Sequence, residues 1–95
     1  MADRVRAHVW VRGRVQGVGF RIFVESAARK LSVTGWVRNV GRDTVEAIAE
    51  GEHINVDALI VQMKQGPLGA RVDETRVEWE DVTGEFEGFG VKRSG

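Results

Sequence analysis

Two glycines separated by one residue, Gly17 and Gly19, stand where an alternating pattern ends and a helical pattern begins, and Arg21 follows in the first helical turn. These residue types in this order suit an anion. A glycine-rich turn aims several backbone N–H groups at one point, and the following helix adds its own unpaired N–H groups and the positive end of its dipole. Arginine supplies a planar fork of donors that matches phosphate or carboxylate oxygens. A cation at a helix N-terminus works against the macrodipole by about 0.3–1 kcal/mol, so Arg21 points to an anion nearby. The standard phosphate motifs do not fit. Position 22 is Ile22 where a dinucleotide fingerprint has its third glycine, and no Gly-Lys-Ser/Thr follows. On the glycines alone a plain strand-to-helix turn is the simpler reading, and Arg21 is what argues beyond it.

The other chemically capable residues have simpler structural readings. His8 and His53 are each isolated in the sequence, so they read as sheet-face or surface histidines and make no metal site. Glu46, Glu50, Glu78 and Glu80 have strand spacing and are expected to face solvent or basic neighbours such as Arg6 and Arg38. Trp10, Trp36 and Trp79 suit a base-stacking platform, but packing on the open sheet face or its edges is the simpler expectation. Without cysteine there is no disulfide framework, thiolate metal site or cysteine nucleophile. Fourteen basic and fourteen acidic side chains cancel, which argues against a nucleic-acid backbone or an anionic membrane as the main partner. The first twenty residues hold no continuous apolar run, so neither a signal peptide nor a membrane span is expected, and the cytoplasm is the default compartment.

The elements that must position the turn follow from periodicity. From Arg4 to Arg12, Val5, Ala7, Val9 and Val11 alternate with charged or aromatic residues, the mark of a half-buried strand. Phe20, Phe23, Val24, Ala27, Ala28 and Leu31 give a helical stripe that should fade between Leu31 and Thr34. Gly35 to Val40 and Thr44 to Glu50 read as strands joined by a hairpin, with Gly41 or Asp43 at positive φ, and Gly51 and Glu52 should break the second of them. Val56, Leu59, Ile60 and Met63 mark a second, shorter helix, with Asn55 as N-cap, Asp57 in its first turn and Gly66-Pro67 ending it. Arg71 to Val82 reads as a fourth strand, and Phe89, Val91 and Arg93 alternate in a short last one. A chain of 95 residues in this order predicts a single α+β domain over 1–95. The fold class is a ferredoxin-like sandwich, β-α-β-β-α-β plus a short C-terminal strand, with two helices on one face of a mostly antiparallel sheet. That superfold hosts many functions, so the site must decide.

Gly13-Arg14-Val15-Gln16-Gly17-Val18-Gly19-Phe20-Arg21 resembles the first signature of the acylphosphatases, and Gly35-Trp36-Val37-Arg38-Asn39 followed by Val45-Glu46 resembles the second. The resemblance covers essentially the whole chain. It implies that the backbone amides of Val15, Gln16, Gly17, Val18, Gly19 and Phe20 cradle a phosphoryl group. It also implies that Arg21 binds that group and that Asn39 positions the attacking water. Many members carry Asp-Gly or Lys-Gly in the hairpin after the asparagine, where this chain has Arg42-Asp43. Val40 stands where relatives often have a threonine.

The implied reaction is hydrolysis of the carboxyl-phosphate anhydride of an acyl phosphate, with no cofactor and no metal. It expels a carboxylate whose conjugate acid has a pKa of ~4.3 by analogy with glutamate, so no general acid is needed. Donors aimed at the equatorial oxygens and a placed water are the main requirements. The expected partners are an acyl phosphate and inorganic phosphate or similar anions as product or inhibitor, with no nucleic acid, no membrane and a monomeric state. Two rival readings are a non-catalytic domain that binds a small anion or a partner, and a nucleic-acid-binding ferredoxin-like module. The second lacks aromatics on its third strand, where Thr44 to Glu50 carries two glutamates.

Overall fold

Alternation in the first strand decides which face of the sheet is covered. The computed structural model of the chain describes residues 3–95. In strand β1 (Arg4–Arg14), Ala7, Val9 and Val11 are wholly buried, while His8 and Trp10 on the other side are only half-buried. Helix α1 (Phe20–Lys30) and helix α2 (His53–Gln65) lay their apolar stripes on the buried side, through Phe20, Val24, Ala27 and Ala28 and through Val56, Leu59, Ile60 and Met63. Strands β2 (Thr34–Val40), β3 (Thr44–Glu52), β4 (Arg71–Glu80) and β5 (Phe89–Val91) complete a sheet of order β4-β1-β3-β2-β5. All pairings are antiparallel except β2 with β5. The two crossovers, β1-α1-β2 and β3-α2-β4, each skip one strand, which is the split βαβ arrangement of the ferredoxin-like sandwich.

Several boundaries differ from the sequence reading, each for a visible reason. Gly51 and Glu52 do not break β3, because Gly51 pairs with Val5 and Glu52 with Arg4 on the long β1. The second helix is the longer of the two, 13 residues against 11. Its first turn, His53 to Asn55, is polar or exposed and therefore silent in the apolar pattern. Asn55 is not the N-cap. The chain turns directly out of β3 at Glu52, which makes no side-chain capping bond, and the His53 N–H donates instead to the Asp3 carbonyl at 2.8 Å. Asp57 consequently lies beyond the first turn. At the other end α1 closes with Ser32 at φ 56, and the Ser32 and Val33 N–H groups donate back to Arg29 and Ala28. This is a Schellman closure with serine in place of the usual glycine. In the hairpin, Gly41 takes the positive φ, at 60°, and Asp43 does not.

The open face holds the largest departure from the sequence reading. Glu46 and Glu50 sit on the central β3 and are buried, not solvent-facing, although the expected basic neighbours are there. Glu46 accepts from Arg38 Nε and pairs with His8 Nε2, each at 2.6 Å. Glu50 accepts from Arg6 Nη1 at 3.1 Å, from the Thr83 hydroxyl at 3.1 Å, and from the Thr83 and Gly84 N–H groups, both at 3.0 Å. Glu50 therefore ties down the irregular segment after β4, which ends at Glu80 and not at Val82. Burial pushes the Glu50 carboxyl up, but the two backbone donors, the Thr83 hydroxyl and Arg6 together bring it below its ordinary value. A carboxyl with a lowered folded-state pKa contributes stability above the ordinary carboxylate range and loses it as pH falls through that lowered value. Glu50→Gln is therefore expected to destabilise the protein by about 1.5–3 kcal/mol at neutral pH, the range for hydrogen bonds to charged groups. The gap to the parent should close on acidification. Urea unfolding from neutral pH to about pH 3 measures this, and a gap independent of pH rules out the assignment.

Candidate active site

The turn between β1 and α1 is anchored by alternate residues. Val15 and Phe20 are buried in the core and Val18 packs against it, while Gly17 and Gly19 remain exposed between them. Both glycines adopt φ 75°, with negative φ at Gln16 and Val18. Alternating backbone handedness of this kind turns successive N–H groups toward one concavity, an anion-binding nest. A side chain at Gly17 or Gly19 would meet no atom, so the need for glycine is conformational: an L-residue in this region costs roughly 1–2 kcal/mol. None of the N–H groups of Gln16, Gly17, Val18 and Gly19 donates to a backbone carbonyl among the described residues. Gly19 also caps α1 with no side-chain bond, and the first helical bond runs from Phe23 N–H to its carbonyl at 3.0 Å.

Arg21 lies in the first turn of α1, half-buried, and makes no hydrogen bond or ion pair with another described residue. Arg6, Arg12, Arg29, Arg38, Arg71 and Arg76 are each paired with a carboxylate. Arg4, Arg14, Arg42 and Arg93 are also unpaired among the described residues, but all four are exposed. No acidic residue lies in the first turn of α1, so the helix end supplies no internal counterion.

Asn39 reaches the same place from β2. Strand alternation puts it on the helix side with Val37, opposite Val45 on β3. Its Oδ1 is buried and has no hydrogen-bond partner among the described residues. A buried acceptor left unpaired costs about 1–3 kcal/mol, and no hydrogen bond within the described residues offsets it. Its backbone carbonyl, by contrast, accepts from the Gly95 N–H at 2.8 Å, which holds the end of β2 in place.

What fixes Asn39 relative to the nest is Gln16, a role the sequence reading did not assign. Its side-chain amide donates to the carbonyls of Val40 (3.3 Å), Gly41 (3.2 Å) and Thr44 (2.9 Å), bridging the turn to the β2–β3 hairpin. Beside it, the Gly13 N–H donates to the Asp43 carbonyl at 2.9 Å. The unusual Arg42-Asp43 hairpin is thereby locked to the cradle strand through its main chain, whatever its side chains.

Val15, Gln16, Gly17, Gly19, Phe20, Arg21 and Asn39 all line one cleft of about 190 Å³. Val18 alone of the sequence-predicted residues does not line it, since its side chain packs inward. Two residues outside the sequence reading, Ile22 and Val91, complete the wall. The space is below the ~300–1,000 Å³ of drug-sized sites. Elsewhere, His8 stacks on Trp10 at 3.8 Å with Arg76 above the indole, and Arg38 and Lys92 lie over Trp36. The aromatic surface of the open face is thus engaged by the protein's own cations. Trp79 stands at the sheet edge against His53. No group of three or more metal-ligating side chains occurs among the described residues, and none of their helices is long and apolar enough to cross a membrane.

Comparison with known proteins places the chain in a family. A sequence model of the acylphosphatase family covers residues 7–91. An acylphosphatase of Thermococcus kodakarensis is 54% identical over 88 residues, 93% of this chain and 96% of that one. The solved acylphosphatase of Coxiella burnetii superposes with a TM-score of 0.90 at 36% identity, covering 95% of this chain and 94% of its own. That of Bacillus subtilis gives 0.89 at 32% identity, covering 93% and 98%. Matched along nearly its whole length in sequence and in fold, this chain belongs to the acylphosphatase family.

Proposed function

We propose that the enzyme, an acylphosphatase, hydrolyses acyl phosphates by attack of water at phosphorus, with the nest from Val15 to Phe20 and Arg21 holding the phosphoryl group and Asn39 holding the water. The observation that carries this reading is the buried, unpartnered Asn39 Oδ1 in the same cleft as Arg21. An amide oxygen accepts a hydrogen bond from water and so orients a lone pair toward phosphorus. It is too weak a base to take the proton. The water oxygen forms its bond to phosphorus as the bond to the acyl oxygen breaks, and the electron pair leaves with the carboxylate. The water proton passes to a phosphate oxygen or to solvent. In this reading, charge that spreads over the three equatorial oxygens meets the nest N–H groups and the Arg21 fork. A good leaving group explains why the cleft needs no acid.

Isotope position tests the reading directly. Benzoyl phosphate hydrolysed with EDTA in water enriched in oxygen-18 is expected to give phosphate carrying one labelled oxygen and unlabelled benzoate. Label in the benzoate would mean attack at the carbonyl carbon and would overturn the assignment of Asn39. Absence of turnover, with inorganic phosphate still raising the melting temperature, would leave only a small-anion-binding domain.

A further inference from the structure

The balance of basic and acidic side chains over the whole chain conceals a separation along the strands. Strands β1, β2 and β5 end, and β3 and β4 begin, at the edge of the sheet that carries the nest. Arg14, Arg42 and Arg93 are rooted at that edge, exposed and outside any ion pair among the described residues. The main chain ties each of them to the cleft. Arg14 immediately precedes Val15, which lines it. Arg42 lies between Gly41, whose carbonyl accepts from Gln16, and Asp43, whose carbonyl accepts from the Gly13 N–H. Arg93 lies between Val91, which lines the cleft, and Gly95, whose N–H donates to the Asn39 carbonyl. Of the carboxylates at this edge, Asp73 is paired with Arg71 and Glu74 with Arg12, which leaves Asp43. The opposite edge has the reverse balance. There Asp3, Glu52, Asp81 and Glu87 are outside any ion pair among the described residues, against Arg4 and Lys30.

We propose that Arg14, Arg42 and Arg93 form an electrostatic funnel that draws anionic acyl phosphates to the cleft without touching them. This rests on the hydrolase reading above. Substrate and released phosphate are both anions, so positive charge gathered around the mouth raises the local concentration of either before any contact forms. Such attraction acts over a Debye length, about 8–10 Å at ordinary ionic strength, and it needs charge alone. It thereby differs from the role of Arg21, whose paired donors meet the phosphoryl oxygens. None of the three arginines makes a hydrogen bond or ion pair among the described residues with which to hold the fold together. A chain of zero net charge can in this way present a cationic approach at one edge only, with its unpaired carboxylates kept at the other.

The experiment compares Arg14→Gln/Arg42→Gln/Arg93→Gln with the parent enzyme on benzoyl phosphate in KCl from about 0.01 M to about 1 M, across which the Debye length falls from about 30 Å to about 3 Å. At low salt the KM of the variant is expected on the order of tenfold above that of the parent, the lower end of what such focusing supplies. Its kcat should be unchanged, as when binding shared by ground and transition states is removed. The inhibition constant of inorganic phosphate should rise with KM. Competition by chloride acts on both proteins, so the ratio of the two KM values is the readout, and it should fall toward one at high salt. Arg14→Lys/Arg42→Lys/Arg93→Lys should keep the parent KM, because lysine retains the charge and loses only the fork. Glu52→Gln/Glu87→Gln, at the opposite edge, should also leave KM unchanged. Equal KM for parent and glutamine variant at low salt overturns the funnel and leaves the hydrolase reading standing. A gap that persists undiminished at the highest salt, or that lysine fails to close, overturns it too, because the arginines would then touch the substrate. No hydrolysis by the parent at any salt removes the hydrolase reading and the funnel with it.

Discussion

Arg21→Ala is expected to lower kcat for benzoyl phosphate by about 10³–10⁵, the scale on which an arginine stabilises phosphoryl-transfer charge, while the folded protein becomes no less stable. Both halves follow from the same position. The guanidinium sits in the first turn of α1 with no partner among the described residues, so its removal breaks no hydrogen bond or ion pair of the fold. It also relieves a cation–dipole repulsion of about 0.3–1 kcal/mol. With a phosphoryl group in the nest, that penalty becomes attraction between a planar fork and two oxygens. Arg21→Lys should recover little of the activity, because an ammonium restores the charge but not the paired donors. Steady-state kinetics and thermal unfolding with and without phosphate decide the matter. The alanine variant should melt at or above the parent temperature and lose most of its protection by phosphate. Activity within tenfold of the parent, or a large fall in melting temperature, would make Arg21 structural.

Much of this protein was legible in its sequence because its patterning is consistent across scales. The period-two run from Val5 to Val11 and the stripe from Phe20 to Ala28 specify a strand and a helix whose apolar faces meet, and the chain order leaves few topologies. The parts that were not legible depend on contacts between distant segments. Gly51 stays in β3 because β1 extends far enough to pair with it. Ser32 adopts a conformation usually left to glycine because two backbone bonds close the end of α1 around it. Nothing local in either residue announces this. Glu50 meets the basic neighbour its strand spacing suggested, Arg6, but a segment more than thirty positions later, after β4, also bonds to it, and its burial had no local signal.

The same division runs through the site. Gly17, Gly19 and Arg21 are close in sequence and their joint meaning is local, so the proposal of an anion site there could be made from residue types alone. Asn39 has no local signal beyond a strand-end amide, and only the resemblance singled it out. Gln16 is contiguous with the nest, yet its strut to Val40, Gly41 and Thr44 exists only because β2 and β3 return beside it. Val91 joins the cleft through the parallel pairing of β5 with β2, a contact between segments far apart in sequence.

Asn39→Ala tests whether the cleft is built for turnover and not for binding alone. Misplacing a nucleophile by about an ångström can cost on the order of 10² in rate, and losing a directed donor or acceptor costs about 10²–10³ in kcat in comparable sites. A fall in kcat in that range is therefore expected, with KM and phosphate inhibition nearly unchanged, because the nest and Arg21 remain. Stability gives an independent readout. Oδ1 is the only buried side-chain polar atom without a partner among the described residues, so truncation removes an acceptor the fold does not use. The variant should unfold at or slightly above the urea midpoint of the parent. A structural asparagine behaves in the opposite way, losing stability and activity together. Asn39→Asp sharpens the distinction. It keeps an acceptor at Oδ1 but brings a negative charge beside an anionic substrate, so its KM should rise where that of the alanine variant does not. If instead both variants keep kcat and lose only stability, the water must be held elsewhere and the buried amide belongs to the fold.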